Sequence, residues 1–153
     1  MGLPESDLIK NEIVIRDLKI SQDVLLSKKA MVRWLALSLG LISPNETRTL
    51  MLDVFEVLLD FHFKNKEPNI HDILEKLEKK KNEEPNPKAV RYHLLQLKNK
   101  GIIDSKKRKY SFTTGSMPEN SELPYSIENA YTKNMESSFK QIEKVIKALK
   151  RTY

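Results

Sequence analysis

The chain has 153 residues, 39% of them hydrophobic and 31% charged, a composition that favours one compact globular domain with a charged surface. The absence of cysteine excludes disulfide bonds, thiolate zinc sites and thiol catalysis, and the four glycines do not form a phosphate-binding loop. The net charge is +6, and residues 76–109 carry twelve Lys or Arg against four Asp or Glu, which indicates either a polyanionic partner or a solvated lysine-rich surface.

The N-terminal sequence MGLPESDLIKNE lacks a basic segment followed by an apolar run, so it does not resemble a signal peptide. The longest apolar-rich stretch, residues 31–42, is too short to span a bilayer and is interrupted by Arg33 and Ser38. We therefore expect a cytoplasmic protein that does not contact a membrane.

Apolar residues at intervals of three and four predict two helices near the start of the chain. The first covers residues 5–20, although the run Ile13-Val14-Ile15 also fits a strand. The second covers Asp23 to Leu39, and Gly40 stands where a left-handed residue would end that helix.

The sequence Ser43-Pro44-Asn45-Glu46 has the residue types of a helix start, because serine caps free N–H groups, proline fits the first turn and glutamate closes a capping box. We predict a helix from there to Phe61, ended by the polar residues that follow. A shorter helix with inward apolar residues from Ile70 to Leu77 comes next, with Asn69 as its cap. Residues 79–86 then predict a loop.

The pair Asn86-Pro87 repeats the combination of a capping residue and a proline. It predicts a helix over residues 88–100, which Gly101 ends.

The stretch after Gly101 predicts a β-hairpin. Residues 102–103 and 110–112 alternate like two short strands, and a tight turn around Lys106 and Lys107 joins them. The turn region carries four consecutive cations, which either contact a phosphate backbone or keep a surface turn soluble.

Residues 115–125 are predicted as a linker, and a long helix follows at about residues 126–151. Apolar residues spaced alternately four and three apart form a coiled-coil seam on that helix, and such a seam needs an apolar partner. We predict homodimerisation through this seam, or packing against the N-terminal helices within one chain. The N-terminal helices are a second candidate dimer surface. The seam residues are Met135, Phe139, Ile142, Ile146, Leu149 and Tyr153.

The order helix, helix, helix, strand, turn, strand over residues 44–113 resembles that of winged-helix transcriptional regulators. The run AVRYHLLQLKNKGII at 89–103 resembles their recognition helix leading into the first wing strand, with Val90, Leu94 and Leu97 as anchors. The resemblance implies a mainly α fold with a small β-hairpin wing. The implied divisions are N-terminal helices at 1–42, a winged-helix domain at 43–114, a linker at 115–125 and a dimerisation helix at 126–153.

Stepping 100° per residue along the predicted 88–100 helix puts polar groups opposite the anchors. Such groups read base edges and phosphates in a major groove, and an arginine can bind a guanine edge with two hydrogen bonds. Arg91 is the favoured base contact, whereas Tyr92 either contacts DNA or packs against the helix at 70–77. The predicted DNA-binding residues are Lys88, Arg91, Tyr92, Gln96, Asn99, Lys106, Lys107, Arg108 and Lys109.

These patterns predict a sequence-specific double-stranded DNA-binding regulator that acts as a homodimer. An adaptor that binds a protein is the alternative, and RNA binding is a third reading that the few aromatic residues near the basic residues disfavour. We expect no enzymatic activity, no cofactor and no metal, because His62, His71 and His93 lack the spacing of metal ligands. The sequence identifies no effector ligand.

Overall fold

A computed structural model of the chain describes residues 4–113 and 122–153 and is mainly helical, with one two-stranded antiparallel sheet. None of the helices in those two stretches is long and apolar enough to cross a membrane. The elements are α1 Glu5–Leu8, α2 Gln22–Leu25, α3 Lys28–Ser38, α4 Leu50–Phe63, α5 Ile70–Lys81, α6 Pro87–Asn99, β1 Ile103–Lys106, β2 Lys109–Phe112 and α7 Leu123–Lys150.

The predicted helix over 5–20 is wrong, because only α1 is helical there and residues 9–20 contain neither helix nor strand. Tertiary hydrogen bonds hold this segment in place. The Arg16 guanidinium donates to the carbonyls of Leu37 and Ile42, both at 2.8 Å. The Arg16 N–H donates to the Ser38 carbonyl, and the Ser38 hydroxyl donates back to the Arg16 carbonyl. Arg16 thereby lies at the C-terminal end of α3 and supplies hydrogen-bond donors to carbonyl groups that the helix leaves free.

The predicted second helix is divided into α2 and α3. Ser27 interrupts it, because this residue is extended and its hydroxyl accepts a hydrogen bond from the Ala30 N–H, as an N-cap does. The predicted end at Gly40 is confirmed. Gly40 has a φ of +72°, and the Leu41 N–H donates to the Ala36 carbonyl as in a Schellman motif.

The predicted helix start at Ser43 is also wrong, since α4 begins at Leu50. Half of the expected capping box is present, because the Glu46 carboxylate accepts a hydrogen bond from the Ser43 N–H at 2.8 Å. Asn45, however, has a φ of +61°, which no α-helix accommodates. The capping residues therefore close a turn, and the helix starts where apolar side chains first become available for burial.

The predicted Asn69 cap is confirmed, and Asp72 completes a capping box with it. The loop predicted at 79–86 is shorter than expected, since α5 continues to Lys81 and ends at the left-handed residue Asn82. The three helices α4, α5 and α6 pack together, and α4 is the most deeply buried of them.

The predicted hairpin is confirmed as β1 and β2, which pair from Ile103 with Phe112 to Lys106 with Lys109. Its turn is one residue later than predicted, because Lys106 ends β1 and the turn residues are Lys107 and Arg108. Phe112 is buried, with its ring edge-on to that of Phe55 in α4 at 6.4 Å. The Tyr110 N–H donates to the Pro68 carbonyl at 2.8 Å. These contacts fix the hairpin against the helices.

The long C-terminal helix α7 begins at Leu123, three residues before the predicted start, so residues 123–125 are helical and not part of a linker. Most of the predicted linker lies outside the described residues. The first turns of α7 join the core: Leu123 and Tyr131 are buried with residues of α3 and α4. The Ser126 hydroxyl donates to the Thr113 carbonyl after β2. From Met135 onward every residue of α7 is exposed.

Candidate nucleic-acid interface

The helix α6 begins at the cap that the sequence predicts. The Asn86 side chain accepts hydrogen bonds from the N–H groups of Lys88 at 3.0 Å and Ala89 at 3.3 Å, and Pro87 lies in the first turn. The helix ends before Gly101, whose φ is +76°. Since Asn86 occupies two of the free N–H groups, the Lys88 side chain is the group that remains for an anion at this end.

One side of α6 is fully buried. Val90 and Leu97 are 0% exposed and Leu94 is 1% exposed, so the three predicted anchors are confirmed as core residues. They hold α6 against α4, α5 and β1. The orientation of α6 is therefore fixed, and with it the set of side chains that faces away from the core.

The opposite side of α6 is polar and open to solvent. Arg91 is exposed and is not in an ion pair with any described residue, and Leu95 is 54% exposed in the middle of this face. Gln96 is half-buried on one flank. The other exposed side chains on this face are Lys88, Tyr92 and Asn99.

A hydrogen-bonded chain crosses the middle of that face. Gln96 Nε2 donates to the Tyr92 hydroxyl at 3.2 Å, and Gln96 Oε1 lies 3.1 Å from His93 Nδ1. The Tyr92 and His93 rings meet edge to face, with centroids 5.6 Å apart. Tyr92 is 59% exposed, so of its two predicted environments the packed one against α5 is not observed.

In addition to the cations of α6, the turn of the hairpin carries a second group of cations. Lys106, Lys107, Arg108 and Lys109 are all exposed, and the described residues offer none of them an ion-pair partner. Lys107 and Arg108 form a two-residue turn in which both have positive φ, 52° and 65°. Such a turn normally contains Asn and Gly, so two side chains adopt a strained conformation here while carrying charge.

The cations of α5 belong to a different surface. Lys76 lies near Asp60 at 3.8 Å, Lys81 contacts Asp53 at 2.5 Å, and Lys80 contacts Glu56. The basic segment that the sequence shows at 76–109 is thus divided. Its first part neutralises acids of α4, and the cations of α6 and the hairpin remain outside these ion pairs.

Sequence reasoning missed the acidic side of that network. Asp53 is 9% exposed and contacts Lys81, although its residue type alone does not distinguish it from a solvated acid. Burial lowers the pKa of Lys80 below its usual range, with the nearby Asp53 charge opposing the shift. A signal was present in the spacing, since Asp53, Glu56 and Asp60 recur along one side of α4.

The cations of α6 and those of the hairpin turn have no ion-pair partner among the described residues, and they lie on elements that follow one another in the chain. Gly101 connects α6 to β1, and these two elements pack against each other.

Comparison with protein families, with curated proteins and with solved structures finds no match for this chain. The chemistry of its own residues is therefore the basis for assigning a function.

The predicted seam residues from Met135 to Leu149 lie on α7, whereas Tyr153 lies beyond the end of that helix at Lys150. They range from 40% exposed at Met135 to 99% at Tyr153, and none is part of the buried core. Val145, 65% exposed, lies among them and was not predicted. Packing of this seam against the N-terminal helices within one chain is not observed among the described residues.

Proposed function

We propose that residues 44–113 form a winged-helix domain that binds double-stranded DNA, with α6 in the major groove and the hairpin against the phosphate backbone. The observation that carries the proposal is the division of α6 into a fully buried apolar side and an exposed polar side, followed directly by a hairpin with four cations at its turn. An α-helix fits the major groove by its width.

Each group on α6 has a chemical role in this proposal. The Arg91 guanidinium presents two parallel N–H donors, which match the O6 and N7 acceptors of guanine. Lys88 in the first turn neutralises a phosphate, as does any lysine near the backbone. Asn99, at the other end of the exposed side, offers both a donor and an acceptor.

The hairpin contributes affinity without reading sequence. Its four cations repel one another in the free protein, and a phosphate backbone relieves that repulsion. The strained turn at Lys107 and Arg108 supports a functional role for these two cations, because Asn-Gly would form the same turn at a lower conformational free energy.

The proposed function includes a homodimer, which the exposed apolar seam of α7 supports. Two copies related by a twofold axis carry two copies of α6, which suits a palindromic DNA site and the role of a transcriptional regulator.

One observation favours the alternative, a winged-helix adaptor that binds a protein. Leu95 is 54% exposed at the centre of the outward side of α6, where an apolar side chain suits a protein interface as well as a thymine methyl group. The adaptor predicts a stoichiometric protein partner that covers residues 88–109.

The test is duplex binding measured at several salt concentrations. We expect affinity to fall steeply with salt, and Arg91→Ala to weaken binding by about tenfold or more. Lys140→Ala is the matched control, since Lys140 is an exposed cation on α7 that is not among the residues assigned to DNA contact. Absence of duplex binding, salt-independent binding, or equal effects of Arg91→Ala and Lys140→Ala would contradict the proposal.

A further inference from the structure

From Met135 to its end at Lys150, α7 presents an apolar stripe that the described part of the chain does not cover. Six of its side chains are apolar and 40% or more exposed, and they follow a heptad pattern. Met135, Ile142 and Leu149 take position d, whereas Phe139 and Ile146 take position a. The sixth, Val145, widens the stripe on one side at position g.

The two flanks of the stripe differ in charge. Within α7 the e positions are Glu136, Glu143 and Lys150, and the g positions are Ser138 and Val145. In a parallel pair of helices the e flank faces the g flank, whereas in an antiparallel pair e faces e and g faces g. Parallel pairing of two copies would therefore form no pair of opposite charges, because all charges lie on one flank.

We propose that a second copy of this chain covers the stripe, with the two α7 helices antiparallel and their twofold axis near residue 144. This register stacks four apolar layers within the two helices: Phe139 on the partner's Leu149, Ile142 on the partner's Ile146, and their symmetry equivalents. It also sets Glu136 against the partner's Lys150 twice.

Neighbouring registers are worse on charge or on burial. A shift of one heptad in one direction keeps four apolar layers but sets Glu136 against the partner's Glu143 twice. A shift in the other direction leaves only two apolar layers. Of these three registers, the one centred on residue 144 is the one that has four layers and also pairs opposite charges.

The centre of this interface is compatible with its own charges. Glu143 meets the partner's Glu143 near the axis, but each carboxylate already forms an ion pair with Lys147 of its own helix, with Nζ 2.9 Å from Oε1. The other flank brings Val145 against the partner's Val145, which buries the apolar residue that the two seam positions alone leave uncovered.

This pairing specifies how the homodimer of the proposed function is formed. Only the spacing of the two domains on DNA rests on the proposed function. At 1.5 Å per residue, the core-bound Tyr131 lies about 20 Å from the twofold axis, so the two domains attach about 40 Å apart. One turn of DNA is about 34 Å, so antiparallel helices hold the domains at the scale of successive major grooves.

Cross-linking of the full-length chain tests the orientation without DNA. The chain has no cysteine, so Glu136→Cys and Lys150→Cys each give a single thiol. After mixing the two variants and adding a short bis-maleimide, we expect the mixed dimer to exceed both self-linked products. Self-linked products in excess would show a parallel pair, and absence of any cross-linked dimer would show that no second copy covers the stripe. Either result overturns the proposal.

Charge reversal tests the register by sedimentation at low salt. Glu136→Lys and Lys150→Glu each act twice in the symmetric interface, so each should weaken dimerisation about tenfold, and the double reversal should restore it. Lys144→Glu on the outer face is the matched control and should have a small effect. Equal effects of all three single variants, or no rescue, would contradict this register. Loss of DNA binding with an intact cross-link would instead contradict the proposed function alone.

Discussion

The Tyr131 hydroxyl donates to the Leu39 carbonyl at 2.5 Å and joins residues 92 positions apart in the chain. Tyr131 lies in the third turn of α7 and is 6% exposed, and Leu39 caps the end of α3. This bond attaches the C-terminal helix to the N-terminal part of the core. Burial raises the pKa of Tyr131 to about 12.

Removing that hydroxyl should loosen the base of α7. We expect Tyr131→Phe to lower the free energy of unfolding by about 1–3 kcal/mol, because it leaves the buried Leu39 carbonyl without this donor. Urea denaturation measures the change. Tyr125→Phe is the control, since Tyr125 is exposed in the same helix and should cost little. A smaller loss for Tyr131→Phe than for Tyr125→Phe would contradict the assigned role of this bond.

The same burial makes stability depend on alkaline pH. The folded protein keeps the Tyr131 proton up to a pH of about 12, whereas the unfolded chain releases it near the ordinary value of about 10. Stability should therefore be lost as the pH rises from about 10 to 12. Tyr131→Phe should reduce this slope, and a slope identical in both proteins would count against it. Denaturation midpoints across this pH range measure the effect.

The predicted helix starts show what sequence can and cannot supply. Both Ser43-Pro44 and Asn86-Pro87 have the residues of a helix cap, yet only the second pair begins a helix. After Asn86, apolar residues recur at once and bury against a core. After Ser43, residues 46–49 are polar and have no apolar side to bury, so local capping chemistry closes a turn instead.

The N-terminal segment illustrates a second limit. Its apolar spacing predicts a helix, but Arg16 gains more partners by binding the carbonyl end of α3. Those partners are more than twenty residues away, and no local pattern reveals them. The outward side of α6, in contrast, was predictable, because buried anchors at Val90, Leu94 and Leu97 leave a single possible exposed side.

Gly40 should resist substitution more than Gly101. Both have positive φ, which costs an alanine about 1 kcal/mol. A Cβ at residue 40 would also lie 2.6 Å from the Val14 Cβ, whereas a Cβ at residue 101 would meet only the Ala130 Cβ at 3.8 Å. We expect Gly40→Ala to destabilise the protein by about 1–3 kcal/mol more than Gly101→Ala. Chemical denaturation compares them, and equal losses would show that the Val14 segment yields freely.

The hairpin turn should trade stability for DNA affinity. Replacing Lys107-Arg108 with Asn-Gly supplies the residues that a turn with two positive φ angles prefers, so thermal stability should rise. The same change removes two cations, so duplex affinity should fall and the slope of log affinity against log salt should decrease by about 2. Thermal unfolding and binding titrations measure the two effects. Unchanged affinity would exclude this turn from the interface.

Tyr92 should influence which bases are preferred. Its oxygen accepts a hydrogen bond from Gln96, whose Oε1 faces His93, so the Tyr92 O–H is directed outward as a donor. A donor at this position favours a base edge with an acceptor, such as guanine N7 or O6. We expect Tyr92→Phe to weaken binding to the preferred duplex by about tenfold and to change preference at one base position. Selection from a random duplex pool measures the change, with Lys140→Ala as a control that is not among the proposed DNA contacts. A uniform loss over all duplexes would assign Tyr92 to phosphate contact, and no loss would remove it from the interface.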